Sequence, residues 1–244
     1  MTAQLLEVEG LGKRFGGFVA LDEVSLTVSA GERVGLIGPN GSGKSTLVNC
    51  LCGTLLNEAG TVRFEGRDLA GHPTHQRTRL GMARSFQLPR PFASMTVVDN
   101  LKVPLLYTIN ARGHALRDAE IRTRCEELLM LVGLADRARR SPRDLTQVDM
   151  RKLELARAMA ADPKLLIADE AMAGLSGSEV NDIVALLIRL NERGVTVILI
   201  EHIMRAVMDF SQRLVVLVSG KKIADGNPAD VLRDAEVERA YLGQ

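Results

Sequence analysis

The chain has 244 residues, with Lys+Arg 31 against Asp+Glu 30 and a formal net charge of +1. That balance argues against non-specific wrapping of nucleic acid, and 3% aromatic residues with no tryptophan give no stacking platform for single strands. Hydrophobic residues at 46% and charged residues at 25% describe a folded domain with a real core, which excludes wholesale disorder. No apolar run approaches the roughly 18 residues of a membrane span, and the opening MTAQLLEVEG lacks the basic-then-apolar pattern of a secretory signal. The odd count of three cysteines fits a reducing compartment, so a cytosolic location is expected.

From Leu5 to Ile37 the chain reads as short strands. Residues 24–28 alternate with period two, the pattern of a half-buried strand. Residues 34–37 are continuously apolar, as in a strand covered on both faces. They run into a glycine-rich loop and a helix over Lys44–Cys52, stopped by Gly53. Between residues 116 and 132, Ile121, Cys125, Leu128, Leu129 and Val132 recur at helical spacing, with Gly133 as the stop. A second helix starts near Thr146 and ends at Asp162-Pro163. Residues 165–168 form a buried strand. Val180, Ile183, Val184, Leu187 and Leu190 make one helix face, and residues 195–200 and 214–218 are further buried strands. Alternating strands and helices imply a mostly parallel sheet with covered faces.

Two motifs carry chemistry. Gly38-Pro39-Asn40-Gly41-Ser42-Gly43-Lys44-Ser45-Thr46 fits the phosphate-binding loop pattern throughout. Glycines let backbone N–H groups curl around phosphate oxygens, and the helix that follows aims its positive end at the same anion. Lys44 is placed to reach the β- and γ-phosphates, and the Ser45 hydroxyl to ligate Mg²⁺. In the second motif, Asp169 and Glu170 emerge at the carboxyl end of the apolar strand 165–168, where open α/β sheets bind ligands. Asp169 is the candidate holder of Mg²⁺, and Glu170 the group that polarises or positions the attacking water.

These motifs define a nucleoside triphosphatase but not its family. Gln87 within Arg84-Ser85-Phe86-Gln87, the segment Leu145-Thr146-Gln147-Val148-Asp149 before a helix, Ala173-Gly174-Leu175-Ser176 after the acidic pair, and His202 after a strand occur in an order that resembles the ABC-transporter ATPases. Within that family the chain is similar to the ATPase subunits of branched-chain amino acid importers. Residues 95–101, 153–158, 200–202, 226–229 and 240–243 carry that likeness, and the resemblance covers nearly the whole chain. It implies a single domain over 1–244. An α/β nucleotide-binding core spans 1–90 and 161–244, with an N-terminal antiparallel β region. A helical subdomain is inserted at 91–160. It also assigns roles. Phe15 stacks on adenine, Gln87 links Mg²⁺ and water to the transporter-facing lobe, and His202 contacts the γ-phosphate and orients Glu170. The loop at Thr146 caps the γ-phosphate held by an opposite subunit.

The implied function is Mg²⁺-dependent ATP hydrolysis that powers an importer for branched-chain or related amino acids. The partners are two membrane permease subunits, a second ABC ATPase subunit in a homo- or heterodimer, and indirectly a periplasmic substrate-binding protein, with no nucleic acid. The location is peripheral, on the inner face of the cell membrane. The family signature is usually Leu-Ser-Gly-Gly-Gln; here Gln147 and Val148 replace the glycines and Asp149 replaces the amide. That departure keeps an alternative open, an ATP-gated interaction module with little turnover. Asp149 is expected to act as a helix N-terminal acid pointing away from phosphate. Arg137, Arg139 and Arg140 read as a solvated turn, and His72 and His75 as loop histidines.

Overall fold

The computed structural model describes residues 4–85, 89–113 and 116–242. β1 (Gln4–Phe15) and β2 (Phe18–Ser29) form an antiparallel hairpin that closes at the Phe15–Phe18 pair. β3 (Arg33–Ile37) feeds the glycine-rich loop, and α1 (Lys44–Cys52) follows it. β4 (Ala59–Phe64) and β5 (Arg67–Asp68) complete a four-stranded antiparallel sheet in the order β2-β1-β4-β5. α2 (Thr74–Leu80) leads into β6 (Met82–Ser85). Then come α3 (Val97–Ala111), α4 (Asp118–Val132) and α5 (Gln147–Ala160), which pack on one another. The chain continues through β7 (Leu165–Asp169), α6 (Gly177–Glu192), β8 (Thr196–Ile200), α7 (Met204–Phe210), β9 (Arg213–Val218) and β10 (Lys221–Gly226). It ends with α8 (Pro228–Val231) and α9 (Ala235–Leu242).

The second sheet runs β10-β9-β3-β8-β7-β6, with β9 through β6 mutually parallel and β10 antiparallel at the edge. Its inner strands are covered on both faces, so successive residues enter different cores. Leu165 and Ile167 pack with α1 and the antiparallel sheet, whereas Leu166 and Ala168 pack with the helices. This is why residues 165–168 read as an unbroken apolar run. Register fixes the business end: Leu36, Ile200 and Asp169 are level across β3, β8 and β7. The residues that follow these three strands therefore emerge side by side.

Several local expectations meet their elements. α1 ends at Gly53 in the left-handed conformation, and α4 ends likewise at Gly133. Thr146 is the N-cap of α5. Two regions differ from the sequence reading. α3, a 15-residue helix, was not anticipated, because Pro104 lies inside it and proline normally ends helices. Burial of Val97, Leu101, Leu105 and Ile109 on one face outweighs that penalty. His75, expected in a loop, lies in α2.

The far end of α1 is closed by an arginine. Arg77, only 3% exposed, donates from Nη1 to the Cys50 and Leu51 carbonyls, both at 2.7 Å. Its Nη2 reaches the Leu69 carbonyl at 3.0 Å and its Nε the His72 carbonyl at 2.8 Å. A cation at the carbonyl end of a helix meets the negative pole of its dipole.

Candidate nucleotide site

The phosphate loop is held by close backbone contacts that demand glycine. A Cβ on Gly38 would stand 2.1 Å from the Leu217 carbonyl oxygen, and one on Gly43 2.6 Å from that of Ala20. Hydrogen bonds from Gly220 N to Ser42 O (2.9 Å) and from Asp22 N to Gly220 O (2.8 Å) tie the loop to β2 and the β9–β10 turn. α1 has no side-chain cap on its first N–H groups and no acid in its first turn. Uncapped N–H groups and an unopposed dipole suit an anion such as a phosphate. Lys44 is buried, and its Nζ donates to the Gly38 carbonyl at 2.6 Å and the Pro39 carbonyl at 3.0 Å. Burial pulls the Lys44 ammonium below its ordinary pKa, while Glu170 and Asp169 pull it back up.

Both acids stand beside this loop. Asp169 closes β7 and is 8% exposed. Ser45 and Asp169 are oxygen donors of the kind Mg²⁺ prefers, so the donor set fits that ion. Glu170 follows with φ 47, a left-handed backbone that costs a side-chain-bearing residue about 1 kcal/mol or more. Its N–H donates to the Ile200 carbonyl at 2.9 Å, which locks the strained turn to β8. His202 Nε2 lies 3.0 Å from Glu170 Oε1. Three sequence candidates from β3, β7 and β8, namely Lys44, Glu170 and His202, thus come together. Glu201 buttresses them. It is buried, accepts from Met172 N at 2.8 Å, and has its carboxyl pKa raised by burial. Its neighbours in sequence gave no signal of that role beyond an acid after a strand.

Phe15 lies at the hairpin tip, 50% exposed, with the Lys13 ammonium 5.5 Å from its ring. Asn40, Gly41 and Ser45 are exposed along the loop and Thr46 is half-buried. Gln87 lies outside the described residues.

Thr146 opens α5, well separated in sequence from the phosphate loop. Its hydroxyl is 2.5 Å from Asp149 Oδ2, and it also accepts from Asp149 N at 3.3 Å. Asp149, 5% exposed, forms an ion pair with Arg137. The aspartate is therefore a capping acid turned inward, as expected, while Arg137 is its partner and not a solvated turn residue. α5 is also joined to the loop after Glu170. Arg151 Nη2 and Gln147 Nε2 both donate to the Ala173 carbonyl, at 3.1 and 3.4 Å.

A second arginine was missed by the sequence reading. Arg84 of β6 is 2.5 Å from Asp169 Oδ2 through Nη2 and donates from Nη1 to Asn49 Oδ1 at 2.8 Å. No local pattern reveals it, because the partners are 35 and 85 residues away.

A model of the ABC transporter family matches residues 21–173. The chain belongs to the ABC transporter family. The high-affinity branched-chain amino acid transport ATP-binding protein LivG of Salmonella typhimurium is 39% identical to it, with both chains covered in full. The ADP conformation of an ATP-binding cassette of an ABC transporter superposes with a TM-score of 0.89 at 32% identity, again over all of both chains. A dimeric cassette in a post-hydrolysis state bound to ADP and Pi gives 0.81 at 25% identity, over 92% of this chain and 99% of that one. This ABC chain is an ATP-binding subunit, α/β in fold, and among its described residues no helix is long and apolar enough to cross a membrane.

Proposed function

We propose that this subunit hydrolyses ATP, with Mg²⁺, to drive an importer of branched-chain or related amino acids. The observation that carries the reading is the 3.0 Å contact of His202 with Glu170 beside an uncapped phosphate loop. The likeness to LivG, a branched-chain amino acid transport ATP-binding protein, supports the substrate class. The phosphate chain lies along the loop from Gly38 to Thr46, with Lys44 turning from its own carbonyls to the β- and γ-oxygens. Phe15 stacks on the base. Ser45, Asp169 and Gln87 would hold Mg²⁺, which when bound would supply neutralisation of phosphate charge. Glu170 accepts a hydrogen bond from the attacking water and takes its proton as the new P–O bond forms. The β–γ bridging oxygen leaves with ADP. His202 holds Glu170 in line and contacts the γ-phosphate.

The working unit is a dimer with a second ABC ATPase, like or unlike, in which the Thr146 loop faces nucleotide held across the interface. Two membrane permease subunits dock on the groove near Phe92 and Met95, with α3 to α5 as the transporter-facing lobe over 91–160. A substrate-binding protein delivers the amino acid on the other side of the membrane, so this chain works at the inner face. Its own nucleotide-binding core is 1–90 with 161–244.

The test is hydrolysis by the purified chain and by Glu170→Gln, each with its mass measured with and without ATP. Loss of turnover in the variant, with an ATP-trapped dimer, is the expected result. A parent chain that binds ATP but never turns it over, even with the permease present, would instead identify a gated interaction module.

A further inference from the structure

Arg84 joins the two halves of the nucleotide site. Its guanidinium is shielded, 15% exposed on the side chain, against 11% for the Asp169 side chain it pairs with. One arm holds the carboxylate at the end of β7. The other holds Asn49, one helical turn beyond Ser45 on α1. A planar fork spans two such acceptors at fixed angles, which an ammonium cannot do. Arg84 thereby ties Oδ2 of Asp169 to a side chain of α1. The Arg84 guanidinium offsets the Asp169 carboxylate directly, and Lys44 stands near both Asp169 and Glu170. A divalent cation arriving alone competes with Arg84 for Asp169, whereas one arriving with the phosphates brings further oxygen ligands and negative charge with it.

We propose that Arg84 is a positioning residue that orients Asp169 toward α1 and, by neutralising it, makes metal binding at this site depend on nucleotide. This rests on the nucleotide site described above, but its first readout does not require turnover.

The experiment titrates Mn²⁺ against the full chain, following free Mn²⁺ by its electron paramagnetic resonance signal, first with no nucleotide and then with a non-hydrolysable ATP analogue. Arg84→Gln, Arg84→Lys and Asn49→Ala are compared with the parent. In Arg84→Gln, Mn²⁺ alone binds at least fivefold tighter, and kcat falls about tenfold while KM for ATP stays within twofold. In Arg84→Lys the charge is kept and the fork lost, so Mn²⁺ alone binds as in the parent while kcat stays low. Asn49→Ala behaves like Arg84→Lys. Unchanged Mn²⁺ affinity in Arg84→Gln without nucleotide overturns the proposal, as does equal tightening in Arg84→Lys. A merely structural arginine would lower the melting temperature of these variants without separating the two substitutions in the Mn²⁺ titration. A parent that hydrolyses no ATP would count against the proposed function, and the Mn²⁺ titration on protein alone would still judge Arg84.

Discussion

Two helices in this molecule open on motifs expected to meet the same kind of ligand, and they open in opposite ways. α1 begins at Gly43 with no side-chain cap and no acid in its first turn. α5 begins at Thr146 with a complete capping box, an acid at its third residue and Arg137 closing over that acid. The first N-terminus has donors to spare, and the second has satisfied its own. A helix start becomes an anion site by what the sequence withholds, since a good cap competes with a ligand for the same N–H groups.

Removing the cation from the first region should have the largest effect. Lys44→Met should weaken ATP binding roughly a hundredfold, about 3 kcal/mol, because it deletes charge-assisted hydrogen bonds to phosphate; a fluorescent-nucleotide titration reads this. The nucleotide-free chain should keep its stability within about 1 kcal/mol, because the buried ammonium is a partly unfavourable guest. Its pKa is lowered by burial, so between the lowered and the ordinary value the unfolded chain binds more protons than the folded one. Stability from this group therefore rises with pH through that window, and Lys44→Met should flatten the rise in urea midpoints measured across it.

Next in size are the glycines of the same loop. Gly38→Ala puts a methyl group 2.1 Å from a carbonyl oxygen and should destabilise by about 3 kcal/mol. Gly41→Ala meets no atom within 4 Å and should cost only about 1 kcal/mol, for its left-handed backbone. Equal melting temperatures for the two variants would contradict the packing described here.

The capped helix should respond in the other direction, losing stability and sparing nucleotide. Arg137→Ala strips the partner from a buried carboxylate and should cost about 2 kcal/mol, softened by the partial exposure of the pair. Arg137→Ala combined with Asp149→Asn should recover part of that in thermal melts. Thr146→Ala removes the cap and should cost about 1 kcal/mol. ATP affinity of the isolated chain should be unmoved by either; a tenfold drop would show that the two regions are one site.

The sequence was most informative where the signal is local. The phosphate loop, the apolar strand before Asp169, the glycine stops at Gly53 and Gly133 and the cap at Thr146 all lie within a few residues of the elements they define. α3 was hidden because Pro104 speaks locally against a helix that only its buried face stabilises. Arg84, Arg137 and Glu201 were hidden for a related reason. Each acts through a partner brought near by the tertiary fold, and an arginine in a strand looks the same whether it faces water or a carboxylate. The contact between His202 and Glu170 was legible only through family resemblance, since 32 residues separate them.

Arg77, at the other end of α1, gives that helix a fixed anchor. Its four carbonyl contacts gather the end of α1 with the Leu69 and His72 loop. A phosphate that takes up the free N–H groups at Gly43 stiffens a rod whose opposite tip is already clamped. Amide hydrogen exchange should then slow along the whole of Lys44–Cys52 when nucleotide binds, as a single cooperative unit and not as a gradient that fades from the loop.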